Sequence, residues 1–234
     1  MCQTIEKPTL LIRNLSFAYH NKIVLQNVNL DLYPQNNYLV VGQNGSGKST
    51  LLQLICGLLK PQQGTIEFGQ RKINIAYLPQ NANTAPDFPI TCKEYIKSGY
   101  YYNLPFWQSL SPGERKQCSD WLDKANLSRY SNCLLSDLSS GQRQKLQLAR
   151  CLLRRPEILL LDESTVNLDK SGQNDFFRFL RAAQKEAKFI GIFVTHAWEN
   201  WAKQAPTVLK IEQTACVRYT FAEFSEQQMQ EGEF

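Results

Sequence analysis

Apolar and polar residues alternate from residue 9 to 33 with the period of two that belongs to strands. Val28, Leu30 and Leu32 point one way; Asn27, Asn29 and Asp31 point the other. Asn36-Asn37 marks a turn before Tyr38-Leu39-Val40-Val41, a short buried strand, and Leu51-Leu52-Gln53-Leu54-Ile55 carries the apolar face of a helix. Lys60-Pro61-Gln62-Gln63-Gly64 ends that helix. Strands resume at residues 65–68 and 73–78, the second closed by Pro79-Gln80.

From about 85 to 155 the rhythm becomes helical. Ser111-Pro112-Gly113-Glu114 has the form of a capping box with proline at the first helical position, and predicts a helix through Trp121 and Leu122. Gly141 to Leu153 is amphipathic, with Leu146, Ala149, Leu152 and Leu153 on its apolar side. Residues 157–162 are apolar enough for the centre of a parallel sheet. Asp169-Lys170-Ser171-Gly172 opens a helix with Phe176, Phe177 and Leu180 inward, and residues 189–195 form the last buried strand. Val208 to Ile211 and Ala215 to Tyr219 read as an edge hairpin, and the polar tail after Glu223 is expected to fray.

The chemistry lies at the junctions of these elements. Gly42-Gln43-Asn44-Gly45-Ser46-Gly47-Lys48-Ser49-Thr50 fits G-x-x-x-x-G-K-[ST] and sits between a strand and a helix, the context a phosphate-binding loop requires. Its glycines let backbone N–H groups turn toward phosphates, and the helix N-terminus adds positive dipole. Lys48 reaches the β- and γ-phosphates and Ser49 holds Mg²⁺ in such a loop. Ile158-Leu159-Leu160-Leu161 then ends in Asp162-Glu163, and ligands of open parallel sheets bind at such carboxyl ends. Asp162 is placed to face Mg²⁺, and Glu163 to orient and partly deprotonate an attacking water. Leu138-Ser139-Ser140-Gly141-Gln142 puts two hydroxyls and a glycine at a helix mouth, which is either an anion site or an ordinary N-cap.

These patterns predict an α/β fold: a P-loop NTPase core with a mixed or parallel sheet, an N-terminal antiparallel β subdomain and an inserted α-helical subdomain. About 1–84 and 156–234 form the core and β subdomain; about 85–155 form the helical insertion. The chain's 234 residues suffice for a sizeable core, and 43% hydrophobic with 20% charged residues is a globular composition. No apolar run approaches the roughly 20 residues that cross a bilayer, and the first eight residues lack a signal-peptide core, so the expectation is a cytoplasmic protein. A net charge of +5 without a block of like charge gives no support to nucleic-acid binding. Seven cysteines, odd in number and without C-x-x-C spacing, argue against a disulfide framework or a zinc site and for reduced, buried thiols.

The order of motifs resembles the nucleotide-binding subunit of ABC transporters over nearly the whole chain. Residues 42–50 are the phosphate loop, Gln80 matches the glutamine at the subdomain boundary, and Leu138 to Gln142 is similar to the LSGGQ signature, with Ser140 replacing a glycine. Ile158 to Glu163 matches the Walker B strand. Thr165-Val166-Asn167-Leu168-Asp169 replaces the commoner serine–alanine D-loop. His196, after Phe193-Val194-Thr195, matches the switch histidine, and Tyr19 matches the aromatic that stacks on adenine.

The resemblance implies a subunit that binds and hydrolyses ATP with Mg²⁺. Lys48, Glu163 and His196 are its catalytic residues; Ser49, Gln80 and Asp162 face the metal. Tyr19, residues 42–50 and residues 139–142 contact nucleotide, the last group from a second copy. It implies a head-to-tail homodimer or a paired ATPase subunit, peripheral on the inner face of the cell membrane. Transmembrane permease subunits are contacted near Gln80 and residues 86–107, where Tyr100-Tyr101-Tyr102 and Phe106-Trp107 offer aromatic anchors. Asp87-Phe88-Pro89-Ile90-Thr91 resembles importers of zinc, manganese or chelated iron. The alternatives are an exporter of haem or lipid, and a soluble ABC ATPase such as one of iron–sulfur assembly.

Overall fold

The computed structural model describes residues 7–69, 73–80, 89–101, 109–165 and 168–231. In chain order the elements are β1 (Leu10–Tyr19), β2 (Lys22–Leu32), β3 (Asn37–Val41), α1 (Lys48–Ile55), β4 (Gln63–Phe68), β5 (Ile75–Leu78), α2 (Cys92–Lys97), α3 (Pro112–Lys124), α4 (Ser140–Leu152), β6 (Ile158–Asp162), α5 (Lys170–Ala187), β7 (Ile190–Val194), β8 (Thr207–Glu212), β9 (Ala215–Thr220) and α6 (Phe221–Glu231). They form two compact units: Met1–Tyr77, Glu157–Glu163 and Lys188–Phe234 in one, Leu78–Pro156 and Ser164–Ala187 in the other.

The first unit is built on two sheets. A three-stranded antiparallel sheet has the order β2-β1-β4, and a six-stranded mixed sheet has the order β5-β6-β7-β3-β8-β9. β3, β6 and β7 are buried at every residue, as strands covered on both faces must be. β3 runs parallel to β7 and β8, so the loops that follow β3, β6 and β7 leave the same edge of the sheet. The alternation read from β2 is present: Val28, Leu30 and Leu32 are buried, while Asn27 and Asn29 are exposed. Gly191 interrupts the apolar run of β7 because a Cβ there would run into the Phe193 ring and Asn37 Oδ1.

The tail departs from expectation. Residues 221–231 form α6 rather than a frayed end. The Thr220 hydroxyl accepts from the Glu223 amide (3.3 Å) while the Glu223 carboxylate accepts from the Thr220 amide (2.8 Å), a reciprocal cap, and Phe224 is 2% exposed. One buried aromatic and one cap outweigh the polar composition that suggested fraying.

The second unit packs α2, α3, α4 and α5 together. It takes in residues 164–187 as well as the helical stretch from about 85 to 155, because α5 lies along α4. Capping boxes start three of its helices: Thr91 with Glu94, Ser111 with Glu114, and Ser139 with Gln142. Arg150 donates to the Tyr95 hydroxyl (3.0 Å) and lies over the Tyr95 ring, tying α4 to α2. The six described cysteines are all free thiols.

Candidate nucleotide site

The phosphate loop begins where β3 ends. Gly45 and Gly47 turn the chain at φ +76 and +106, values that side chains rarely adopt. Gly47 is the N-cap of α1, contributes no side-chain cap, and is followed by no acidic residue in the first turn. The first intrahelical bond runs from the Leu51 amide to the Gly47 carbonyl, so the amides before it have no acceptor within the helix. Side chains accept from first-turn amides at α2, α3 and α4, from Gly172 at α5 through Asp169, and from Glu223 at α6. Among the described α-helices, α1 is thus the one whose first turn is left open, and its positive end points at the loop. Ser46 Oγ is also buried without a hydrogen-bond partner.

Lys48 is 5% exposed, and its ammonium donates to the carbonyls of Gly42 (2.9 Å) and Gln43 (2.8 Å). Burial lowers its pKa, and the carboxylates of Glu163 and Asp162 oppose that shift by favouring the charged form. Asp162, at the end of β6, is 2% exposed. Burial raises its pKa against the opposing pull of the Ser49 and Tyr77 hydroxyls. The Tyr77 hydroxyl donates to Asp162 Oδ2 (3.2 Å), while Oδ1 is buried with no hydrogen-bond partner. An orphaned carboxylate oxygen close to a serine hydroxyl is an all-oxygen donor set that fits a hard divalent cation such as Mg²⁺.

Glu163 stands just past the strand in a left-handed conformation, φ +48, which is strained for a residue with a side chain. Its amide donates to the Val194 carbonyl (2.9 Å), clamping the turn to the end of β7. His196, two residues beyond that strand, places Nε2 2.8 Å from Glu163 Oε1. The side chain of Glu163 is 13% exposed and that of His196 43%. Lys48, Ser49, Asp162, Glu163 and His196 therefore converge in one unit, each from a strand end or from the helix that follows. Tyr19 ends β1 at a hairpin, 43% exposed, its ring edge-to-face with Phe17 at 5.0 Å. The hairpin is held on the loop: a Cβ on Gly47 would lie 2.7 Å from Val24 Cγ1 and 3.2 Å from Leu25 Cδ2 of β2.

Ser139, Ser140, Gly141 and Gln142 begin α4 in the other unit. Ser139 and Gln142 are engaged in their own capping box, and Ser140 is exposed. Gln80 is exposed in a turn of that unit. Val166 and Asn167 of the D-loop, and residues 81–88 and 102–108 of the expected permease contact, lie outside the described residues. The bond between Tyr77 and Asp162 was not read from the sequence. Alternation along β5, which sets Tyr77 opposite to Ala76 and Leu78, was the available signal.

Residues 25–166 match the family model described as ABC transporter. The chain is 34% identical over 185 residues to the zinc import ATP-binding protein ZnuC of Buchnera aphidicola, covering 79% of this chain and 73% of that protein. It is 31% identical over 214 residues to ZnuC of Pasteurella multocida, covering 91% and 76%. The zinc uptake system ATP-binding protein ZurA of Listeria monocytogenes is 31% identical over 198 residues, covering 81% and 77%. Among solved structures, cbiO1 of Clostridium perfringens, part of the ABC transporter complex cbiONQ, superposes with a TM-score of 0.82 at 25% identity over 96% of this chain and 93% of that one. An ATP-binding cassette in its ADP conformation has the same fold, with a TM-score of 0.84 at 18% identity over 97% and 96%. The open phosphate loop and the acid–histidine cluster beside it thus belong to a nucleotide-binding ATPase domain, and the chain is a member of the ABC transporter family.

Proposed function

We propose that this chain is the ATPase subunit of a transition-metal importer, with zinc its first candidate cargo, working as a head-to-tail pair on the inner face of a membrane. The observation that carries the ATPase reading is the α1 start at Lys48, left without a side-chain cap among the described α-helices, with Asp162, Glu163 and His196 gathered in the same unit. The cargo reading rests on the zinc-import names of ZnuC and ZurA, which belong to those relatives. No helix among the described residues is long and apolar enough to cross a membrane, in keeping with separate permease subunits.

The chemistry follows from the placements. ATP enters with its base on Tyr19 and its phosphates against the open amides of the loop. The Lys48 ammonium exchanges the Gly42 and Gln43 carbonyls for β- and γ-phosphate oxygens. Glu163 accepts a proton from the attacking water as the oxygen bonds to the γ-phosphorus, and the electron pair of the breaking bond leaves on the β-phosphate oxygen of ADP. His196, bonded to Glu163, fixes the carboxylate's orientation and reaches the γ-phosphate. Ser49 and Asp162 would hold Mg²⁺, which would supply neutralisation of the charge on the bound phosphates. Ser139, Ser140, Gly141 and Gln142 of a second copy close over the γ-phosphate, so ATP favours the closed pair and hydrolysis releases it.

The test is to capture partners of the Glu163→Gln protein from membranes in ATP and identify them by mass spectrometry. A polytopic permease accompanied by a metal-binding extracytoplasmic protein is expected. Soluble partners alone would overturn the transporter reading.

A further inference from the structure

The segment that carries His196 is anchored at three points. Thr195 is 1% exposed, and its hydroxyl accepts from the Ala197 amide (3.1 Å). Trp201 is 1% exposed and packs on Phe193 of β7, with ring centroids 4.6 Å apart. Trp198 has no such place in the sheet. It is half-buried and leans on α6, with centroids 5.2 Å from Phe224, edge to face, and 5.9 Å from Phe221. A cavity of about 450 Å³ lies between these parts, lined among others by Gln43, Ser46, His196, Trp198, Phe224 and Gln228. Open space beside His196 means that packing on that side does not fix the imidazole. Two residues on, Trp198 meets Phe224 and Phe221 of α6.

We propose that α6 is a positioning element for the histidine switch: Phe224 holds Trp198, and Trp198 keeps His196 Nε2 on Glu163 Oε1. Phe224 is suited to this, being 2% exposed, rigid about two torsions, and seated on a helix whose start is fixed by the Thr220–Glu223 cap. Removing its ring frees Trp198 to rotate into the cavity, and His196 loses its fixed distance to the carboxylate. Small displacements of a positioning group lower the chemical step much more than ground-state binding. The inference rests on the proposed part of His196 in hydrolysis.

The test is a double-mutant cycle in steady-state ATP hydrolysis. Phe224→Ala is expected to lower kcat about tenfold with KM for ATP within about twofold. Phe224→Leu, which keeps apolar bulk, is expected to recover most of it. In the His196→Ala background, Phe224→Ala is expected to cause no further loss. Trp198→Ala probes the same contact from the more exposed side should Phe224→Ala not fold, and circular dichroism melting registers that failure. If His196→Ala alone leaves kcat intact, the reading of His196 is wrong. If His196→Ala is impaired but the second substitution adds its full effect, or if Phe224→Ala and Trp198→Ala both turn over like the parent, the positioning role of α6 is wrong.

Discussion

Gly47→Ala separates two physical demands on the phosphate loop. The residue sits at φ +106, and a Cβ there would lie 2.7 Å from Val24 Cγ1 and 3.2 Å from the Val24 carbonyl oxygen. A left-handed backbone with a side chain costs about 1–3 kcal/mol. Overpacking a stiff, β-branched neighbour adds about 1–3 kcal/mol. The sum is about 2–6 kcal/mol, and each kcal/mol lowers the melting temperature of a domain this size by about 2–4 °C. A fall of at least about 4 °C is therefore expected, together with weaker ATP binding as the amides move. Val24→Ala removes the shortest contact but leaves the two at 3.2 Å and the dihedral. The cycle of both substitutions should therefore show a favourable coupling of about 1–3 kcal/mol, with the backbone cost persisting. Urea unfolding of the four proteins reads these quantities. A Gly47→Ala protein melting within about 1 °C of the parent, or one fully rescued by Val24→Ala, would refute the reasoning.

Lys48→Ala should weaken ATP binding by at least about tenfold, since charge-assisted bonds to phosphate contribute about 1.5–3 kcal/mol each; titration calorimetry giving the parent Kd would sink the role. Tyr19→Ala should weaken ATP binding about two- to tenfold through lost stacking, on the order of 0.5–1.5 kcal/mol, and an unchanged Kd would assign the base to another group. Asp162→Asn should abolish hydrolysis yet raise the melting temperature at pH 7. Burial lifts the Asp162 pKa above its usual 3.8, so the folded protein holds its proton to higher pH than the unfolded chain does, and stability falls as pH rises through that window. The gain should shrink as pH falls and vanish only about one to two pH units below 3.8, where both states are protonated; a loss of stability at pH 7 would contradict this.

The parts of the site legible in the sequence are those fixed by local chemistry. Residues 42–50 require glycine at particular turns, and Ser111 with Glu114 announces a helix start by spacing alone. The apolar runs in β3, β6 and β7 read as strands because both of their faces are covered. What was not legible depends on partners far along the chain. Tyr77 and Asp162 are 85 residues apart, and the Glu163–His196 bond needs two strand ends side by side. Ser139 and Gln142 read as either an anion site or an N-cap, and both are engaged in a capping box. α6 was missed because its stability comes from Phe224 meeting Trp198, a contact that no local periodicity encodes.

The most direct measurement compares Glu163→Gln with the parent in single-turnover ATP hydrolysis and, in the same samples, analytical ultracentrifugation with ATP. Hydrolysis slowed at least about a hundredfold, ATP affinity retained and an ATP-dependent dimer accumulating are expected. Turnover at the parent rate would remove Glu163 as the base and with it the account of the site.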